Sequence, residues 1–153
     1  MVVVSRAILN NKRCVEDCRQ YDIFSMAREV DLTKPQSVSC NWRRRGRVIS
    51  TIDVQVLPDR NCLKFSYCFP DRKPEDRGMI RYFVGLDTTK CYFGGHRYWF
   101  LCTNCNRRCA KLYLPTGQTY FACRICYNLT YRSQQEKPSI RHRRYIDSIM
   151  AKA

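Results

Sequence analysis

Acidic side chains are scarce. The chain has 13 Asp and Glu against 28 Lys and Arg, a net charge of +15. Such an excess raises the potential over the whole surface and attracts polyanions, nucleic acid being the commonest. Histidine is scarcer still, with two in the chain, His96 and His142, each beside arginine. No Ser/His/Asp ordering and no His-x-Glu metal motif occurs, and the six glycines form no phosphate-cradling loop. The chain therefore reads as a non-enzyme with no small-molecule substrate. No apolar run approaches the roughly 20 residues that span a bilayer, so no membrane segment is expected. The opening MVVVSRAILNNKR is broken by Ser5 and Arg6 and reads as neither signal peptide nor anchor. Internal repeats and low-complexity tracts are missing too.

What is abundant is cysteine, at 11 of 153 residues. A secreted disulfide scaffold is normally shorter, and the odd count argues against full pairing. Aromatics at 12% supply a core without staples. The reading is a reducing, cytoplasmic compartment, with some thiols on a metal and the rest acting as small buried hydrophobes.

Periodicity divides the chain into four stretches. Residues 1–36 hold one short amphipathic segment, with Ile23, Met26, Ala27 and Val30 at helical spacing. Residues 37–93 switch to a period of two. Val38/Cys40/Trp42, Ile52/Val54/Val56, Leu63/Phe65/Tyr67/Phe69 and Ile80/Tyr82/Val84/Leu86 alternate with polar neighbours. Turn chemistry separates these runs: Arg43–Arg47 with Gly46, then Pro58–Asn61, then the polar loop at 70–78. That is the pattern of an antiparallel meander with one buried, aromatic-rich face. Residues 94–136 follow Gly94-Gly95 and carry the densest cysteine motif. Residues 137–153 read as a basic C-terminal helix, with His142, Tyr145, Ile146, Ile149 and Met150 on one face and Arg141, Arg143 and Arg144 opposite. That apolar stripe reads as packing on its own domain or as serving a partner. The fold class expected is mainly β with minor α: an antiparallel β meander, a four-cysteine zinc ribbon and a C-terminal helix.

The cysteine motif is Cys102-x2-Cys105, 17 residues, Cys123-x2-Cys126. Each pair presents two thiolates from one tight turn, and two such knuckles complete a tetrahedron. Soft sulfur at about 2.3 Å selects zinc over harder cations, although a thiolate-bound iron–sulfur cluster uses similar ligands. Arg108–Leu114 reads as one strand, 115–117 as a turn and Thr119–Ala122 as the return. Four protein thiolates leave no open position, so one structural Zn2+ is expected. Its formal charge of −2 would be offset by Arg107, Arg108 and Arg124. Cys109 reads as a strand residue. Cys14-x3-Cys18 has no second half, and Cys40, Cys62, Cys68 and Cys91 read as packing.

The string from Gly94 to Cys102 (GGHRYWFLC), with Tyr120-Phe121-Ala122-Cys123-Arg124 and Leu129-Thr130-Tyr131-Arg132-Ser133-Gln134, resembles a family of small uncharacterised bacterial zinc-ribbon proteins. Ser37–Trp42 resembles the Ser/Trp-bearing strand that precedes the sheet in that family. Two positions depart from its pattern: Thr103, where proline often follows the first cysteine, and His96, where arginine is usual. Neither is a ligand. The resemblance implies a ribbon and a metal, and it lends no activity.

Function is then read from charge and aromatics. Arg43, Arg44, Arg45 and Arg47 crowd one turn and repel one another unless an anion sits there. Arg97, Arg107, Arg108, Lys111, Arg124, Arg132, Arg141, Arg143 and Arg144 extend the basic set through the ribbon and last helix, with Tyr127 among the rings placed to stack on bases. The expectation is a nucleic-acid-binding zinc ribbon, a small component of a nucleoprotein complex. The alternative is an adaptor docking on a larger protein assembly through the ribbon or the last helix.

Overall fold

The computed structural model describes residues 12–69, 73, 75, 78–136 and 138–151. The reading of the first residues as neither leader nor anchor, and most of the 70–78 loop, lie outside them. Among the described residues, no helix is long and apolar enough to cross a membrane.

The period-two runs fold as a curled antiparallel sheet. Its strands are β2 (Gln36–Arg44), β3 (Arg47–Leu57), β4 (Cys62–Tyr67), β5 (Ile80–Lys90), β6 (His96–Leu101) and β7 (Arg108–Cys109), adjacent in chain order. Alternation does what it should in β3: Ile52, Val54 and Val56 are buried while Thr51, Asp53 and Gln55 face out. The β2–β3 turn places Arg45 and Gly46 both at positive φ, the two-residue hairpin geometry whose twist suits flanking strands. The sheet curls at Gly85. There β5 stops pairing with β4 and, from Leu86, pairs with β6. A Cβ at Gly85 would lie 3.1 Å from Leu101 Cδ1, a contact tight enough that Leu101 would have to shift by a few tenths of an ångström to admit a side chain.

Beyond the row joining Ile52 to Tyr67, β4 ends while β2 and β3 continue to their turn. Arg43–Ile49 therefore form a two-stranded arm paired only with itself among the described residues.

The N-terminal stretch and the ribbon meet directly. β1 (Arg19–Asp22) pairs antiparallel with β8 (Lys111–Leu114) in a second, two-stranded sheet. The short helix α1 (Ile23–Glu29) follows, with Asp22 capping the Phe24 amide, and buries Ile23 and Met26, with Val30 just beyond its end. Ala27, expected on that face, is exposed. Tyr21, Ile23, Leu112, Leu114 and Phe121 belong to the same buried cluster as Val54, Leu63, Phe65 and Val84. Phe65 is its hub, with ring contacts to Tyr21, Tyr82, Phe100 and Phe121.

The terminal helices are α2 (Arg132–Gln135) and α3 (Pro138–Met150). Proline at the first position of α3 costs no hydrogen bond, because that amide has no partner in a helix. Every described side chain of α3 is exposed, including Tyr145, Ile146, Ile149 and Met150. The stripe exists, but it covers nothing among the described residues.

Candidate metal centre and basic surfaces

The expected single hairpin at 108–122 is split at Ala110. β7 joins β6, the Ala110 carbonyl accepts from the Ile23 amide, and β8 turns to β1. The return survives as one bridge, in which Tyr113 and Ala122 exchange both backbone hydrogen bonds at 2.8 and 3.0 Å. That bridge suffices to carry Cys123 back beside Cys102, whose sulfur accepts from the Cys123 amide at 3.2 Å.

The ligand atoms of Cys102, Cys105, Cys123 and Cys126 all lie within 4.8 Å of one another, a group able to hold a metal ion. Cys102 and Cys123 are buried, Cys126 is half-buried and Cys105 is exposed. Each knuckle closes on an asparagine in the left-handed region, Asn106 at φ 57° and Asn128 at φ 48°. Asn106 donates its amide to the Cys102 carbonyl, and Asn128 donates its amide to the Ile125 carbonyl. Asparagine tolerates that region better than most residues, so an Asn directly after Cys105 and another two residues after Cys126 were legible signals that the cysteine spacing overshadowed.

The thiols of Cys102, Cys123 and Cys126 do not ionise independently. Burial opposes ionisation of Cys102, yet the backbone amides of Cys105, Asn104 and Cys123 hold it down to about 7. Cys126 is pushed up to about 12 by burial and by its hydrogen bonds to the other three thiols, only partly offset by Asn104. Thiols this close share protons, which a bound cation displaces. Cys109 stands apart: burial, then the neighbouring sulfurs, raise it to about 12, and its thiol donates to the Phe100 carbonyl. No disulfide joins any of the 11 cysteines. The Cys14 thiol donates to Gln135 Oε1 and that of Cys18 to the Cys14 carbonyl.

Compared with protein-family models, curated proteins and solved structures, the chain matches none.

The structure sorts the basic residues into two groups. Several are held by the protein itself. Arg108 pairs with Asp87 at 2.5 Å, Lys111 with Asp22 at 3.7 Å, Arg132 with Asp17 at 2.6 Å, and Arg144 with Glu136. Arg124 donates to the Leu129 carbonyl at 3.2 Å and lies over the Tyr131 ring, and Arg141 donates to the Ser133 carbonyl. Arg97 lies over the Phe24 and Trp99 rings. Tyr127 is half-buried against both ribbon clusters and donates its hydroxyl to the Tyr120 carbonyl, so its ring is a packing element of the ribbon.

The second group is exposed. Arg43, Arg45 and Arg47 on the arm, Arg107 at the first knuckle and Arg143 on α3 have no acidic partner among the described residues. Arg44 sits in β2 at the arm's end, with a side chain outside the described set. Two residues absent from the sequence reading belong beside this group. Tyr92 and Phe93, in the loop between β5 and β6, are 96% and 97% exposed. Their signal was an aromatic pair directly before Gly94-Gly95, read there only as a boundary.

Proposed function

We propose that this chain is a zinc-ribbon protein that binds nucleic acid as a small component of a nucleoprotein complex in a reducing compartment. Zinc is supported by sulfur spacing. Zn–S bonds of about 2.3 Å imply tetrahedral edges of about 3.8 Å. The Cys102–Cys126, Cys105–Cys123 and Cys123–Cys126 separations are 3.8, 3.7 and 3.5 Å. A disulfide needs about 2.0 Å. The closed ligand set suits a structural ion, in keeping with the ribbon family the motifs resemble.

The observation that carries nucleic-acid binding is the β2–β3 arm. It gathers Arg43, Arg45 and Arg47 on one turn, exposed and without an acidic partner among the described residues, whereas Arg108, Arg132 and Arg124 lean on acids or a carbonyl. Like charges gathered on a two-stranded ribbon gain from a polyanion, and a two-stranded ribbon is a shape that the major groove of a duplex admits. The test is a titration with a duplex at several salt concentrations, for the wild type and a variant with Arg43, Arg44, Arg45 and Arg47 changed to Gln. Each phosphate that the variant no longer neutralises flattens the log–log slope by about 0.9. An unchanged slope returns the arm to solvated surface.

One observation favours the adaptor as a second reading: α3 is amphipathic and lies open to solvent along its whole described length. A protein that copurifies in stoichiometric amount and disappears on deleting α3 would place that reading first.

A further inference from the structure

We infer that the β5–β6 loop is a stacking finger for unpaired bases, so that the nucleic acid bound carries a single-stranded segment. This rests on the nucleic-acid reading above and adds the substrate class.

Tyr92 and Phe93 touch each other edge to face, with centroids 5.1 Å apart and an interplanar angle of 89°. Folding gives no reason for rings left 96% and 97% exposed, since neither contributes to a buried cluster. Their position is nevertheless built. The Gly94 amide donates to the Cys91 carbonyl and the Cys91 amide to the Gly95 carbonyl, both at 3.1 Å. Gly94 and Gly95 sit at φ 92° and 79°, which other residues rarely adopt. The loop backbone is thus fixed by two hydrogen bonds and presents two mutually perpendicular rings to solvent.

The surroundings select the occupant. Lys90 and His96 face each other at the loop's foot, with Arg97 next along β6, and all three are exposed. Lys90 and Arg97 have no acidic partner among the described residues, Arg97 lying over the Phe24 and Trp99 rings. Flat rings beside unopposed cations fit a base and its phosphate, the combination used by single-strand binders. β5 runs from Ile80, beside the foot of the arm, through eleven residues to Lys90. At about 3.3 Å per residue, about 35 Å of strand separates arm from finger. The arm and the finger therefore address different parts of one ligand.

The experiment compares a blunt duplex with the same duplex carrying a single-stranded tail, using wild type and the Tyr92→Ala/Phe93→Ala variant, both checked for metal content. Wild type should prefer the tailed probe by about 5- to 150-fold, and the variant should bind both as wild type binds the blunt one. Equal wild-type affinity for the two probes, or a preference that survives in the variant, overturns the finger and leaves the arm standing. Binding of neither probe overturns both. Partition of wild type but not variant onto phosphatidylserine vesicles, without a tail preference, overturns the finger in favour of a lipid surface.

Discussion

The hydroxyls of Tyr67 and Tyr82 lie 3.1 Å apart and form the middle of one relay. Tyr82 accepts from the Phe121 amide at 3.0 Å, and Tyr67 donates to the Thr119 carbonyl at 2.5 Å. The single Tyr67 proton is therefore committed to Thr119, and the shared bond runs from Tyr82 to Tyr67. Two strands of the sheet grip the returning segment of the ribbon through this relay.

Tyr82→Phe should thus cost more than a surface change. It leaves the amide of Phe121, a fully buried residue, without its acceptor, at a cost of about 1–3 kcal/mol. Urea denaturation of Tyr67→Phe, Tyr82→Phe and the double variant measures the coupling, expected at about 0.5–3 kcal/mol. Strict additivity would mean the relay is not shared.

The same pair sets an alkaline limit. Burial raises both phenols, Tyr82 to about 12 although the Phe121 amide donates to it, and Tyr67 further still. An unfolded tyrosine ionises near pH ~10. Because the folded values are the higher ones, the stabilisation is complete below about pH 10 and drains away as pH rises through about 12. Denaturation midpoints between about pH 8 and about pH 11 should fall more steeply for wild type than for the double Phe variant.

Metal content separates ligand from neighbour. Cys105→Ser should lose the ion and Cys109→Ala should keep it, read as metal per chain by elemental analysis. Structural zinc contributes roughly 10–16 kcal/mol in finger peptides. Leu112, Leu114 and Phe121 share the cluster of the main sheet. Chelation should therefore loosen the sheet with the ribbon in one transition, by circular dichroism and tryptophan fluorescence alike. A sheet that survives chelation unchanged would show two independent units.

Asn106 offers a finer probe of the first knuckle. Asn106→Gly suits φ 57° and should leave metal affinity near wild type. Asn106→Ala keeps a Cβ in the left-handed region but loses the short polar side chain that makes asparagine tolerant of it, so it should retain metal less well than wild type or Asn106→Gly in competition with a chelator.

An arginine already engaged should behave unlike those on the arm. Arg108→Ala removes an exposed pair with Asp87, so stability should change by about 0–1 kcal/mol and the salt slope of nucleic-acid binding should not move. A slope change equal to that of an arm arginine would show that Asp87 yields to phosphate.

The strands of the meander were legible because a half-buried sheet imposes a period of two, and Ile52/Val54/Val56 and Leu63/Phe65/Tyr67 keep it without a break. The four-cysteine group was legible because two Cys-x2-Cys turns each present a pair of sulfurs from one tight turn. β1 was not: Arg19-Gln20-Tyr21-Asp22 has no alternation worth reading, and its partner lies far along the chain. For α3, periodicity names the apolar face but says nothing of what lies opposite it. The basic residues divide by tertiary neighbours such as Asp87 beside Arg108, and composition holds no trace of that.

The pairing of β1 with β8 also orders events at the ribosome. Arg19 must wait for Leu114, made about ninety-five residues later. At roughly 5–20 residues per second that is roughly 5–20 s during which Tyr21, Ile23 and Met26 have emerged without their final cover. Until both knuckles have left the exit tunnel, metal cannot close the ribbon that supplies β8.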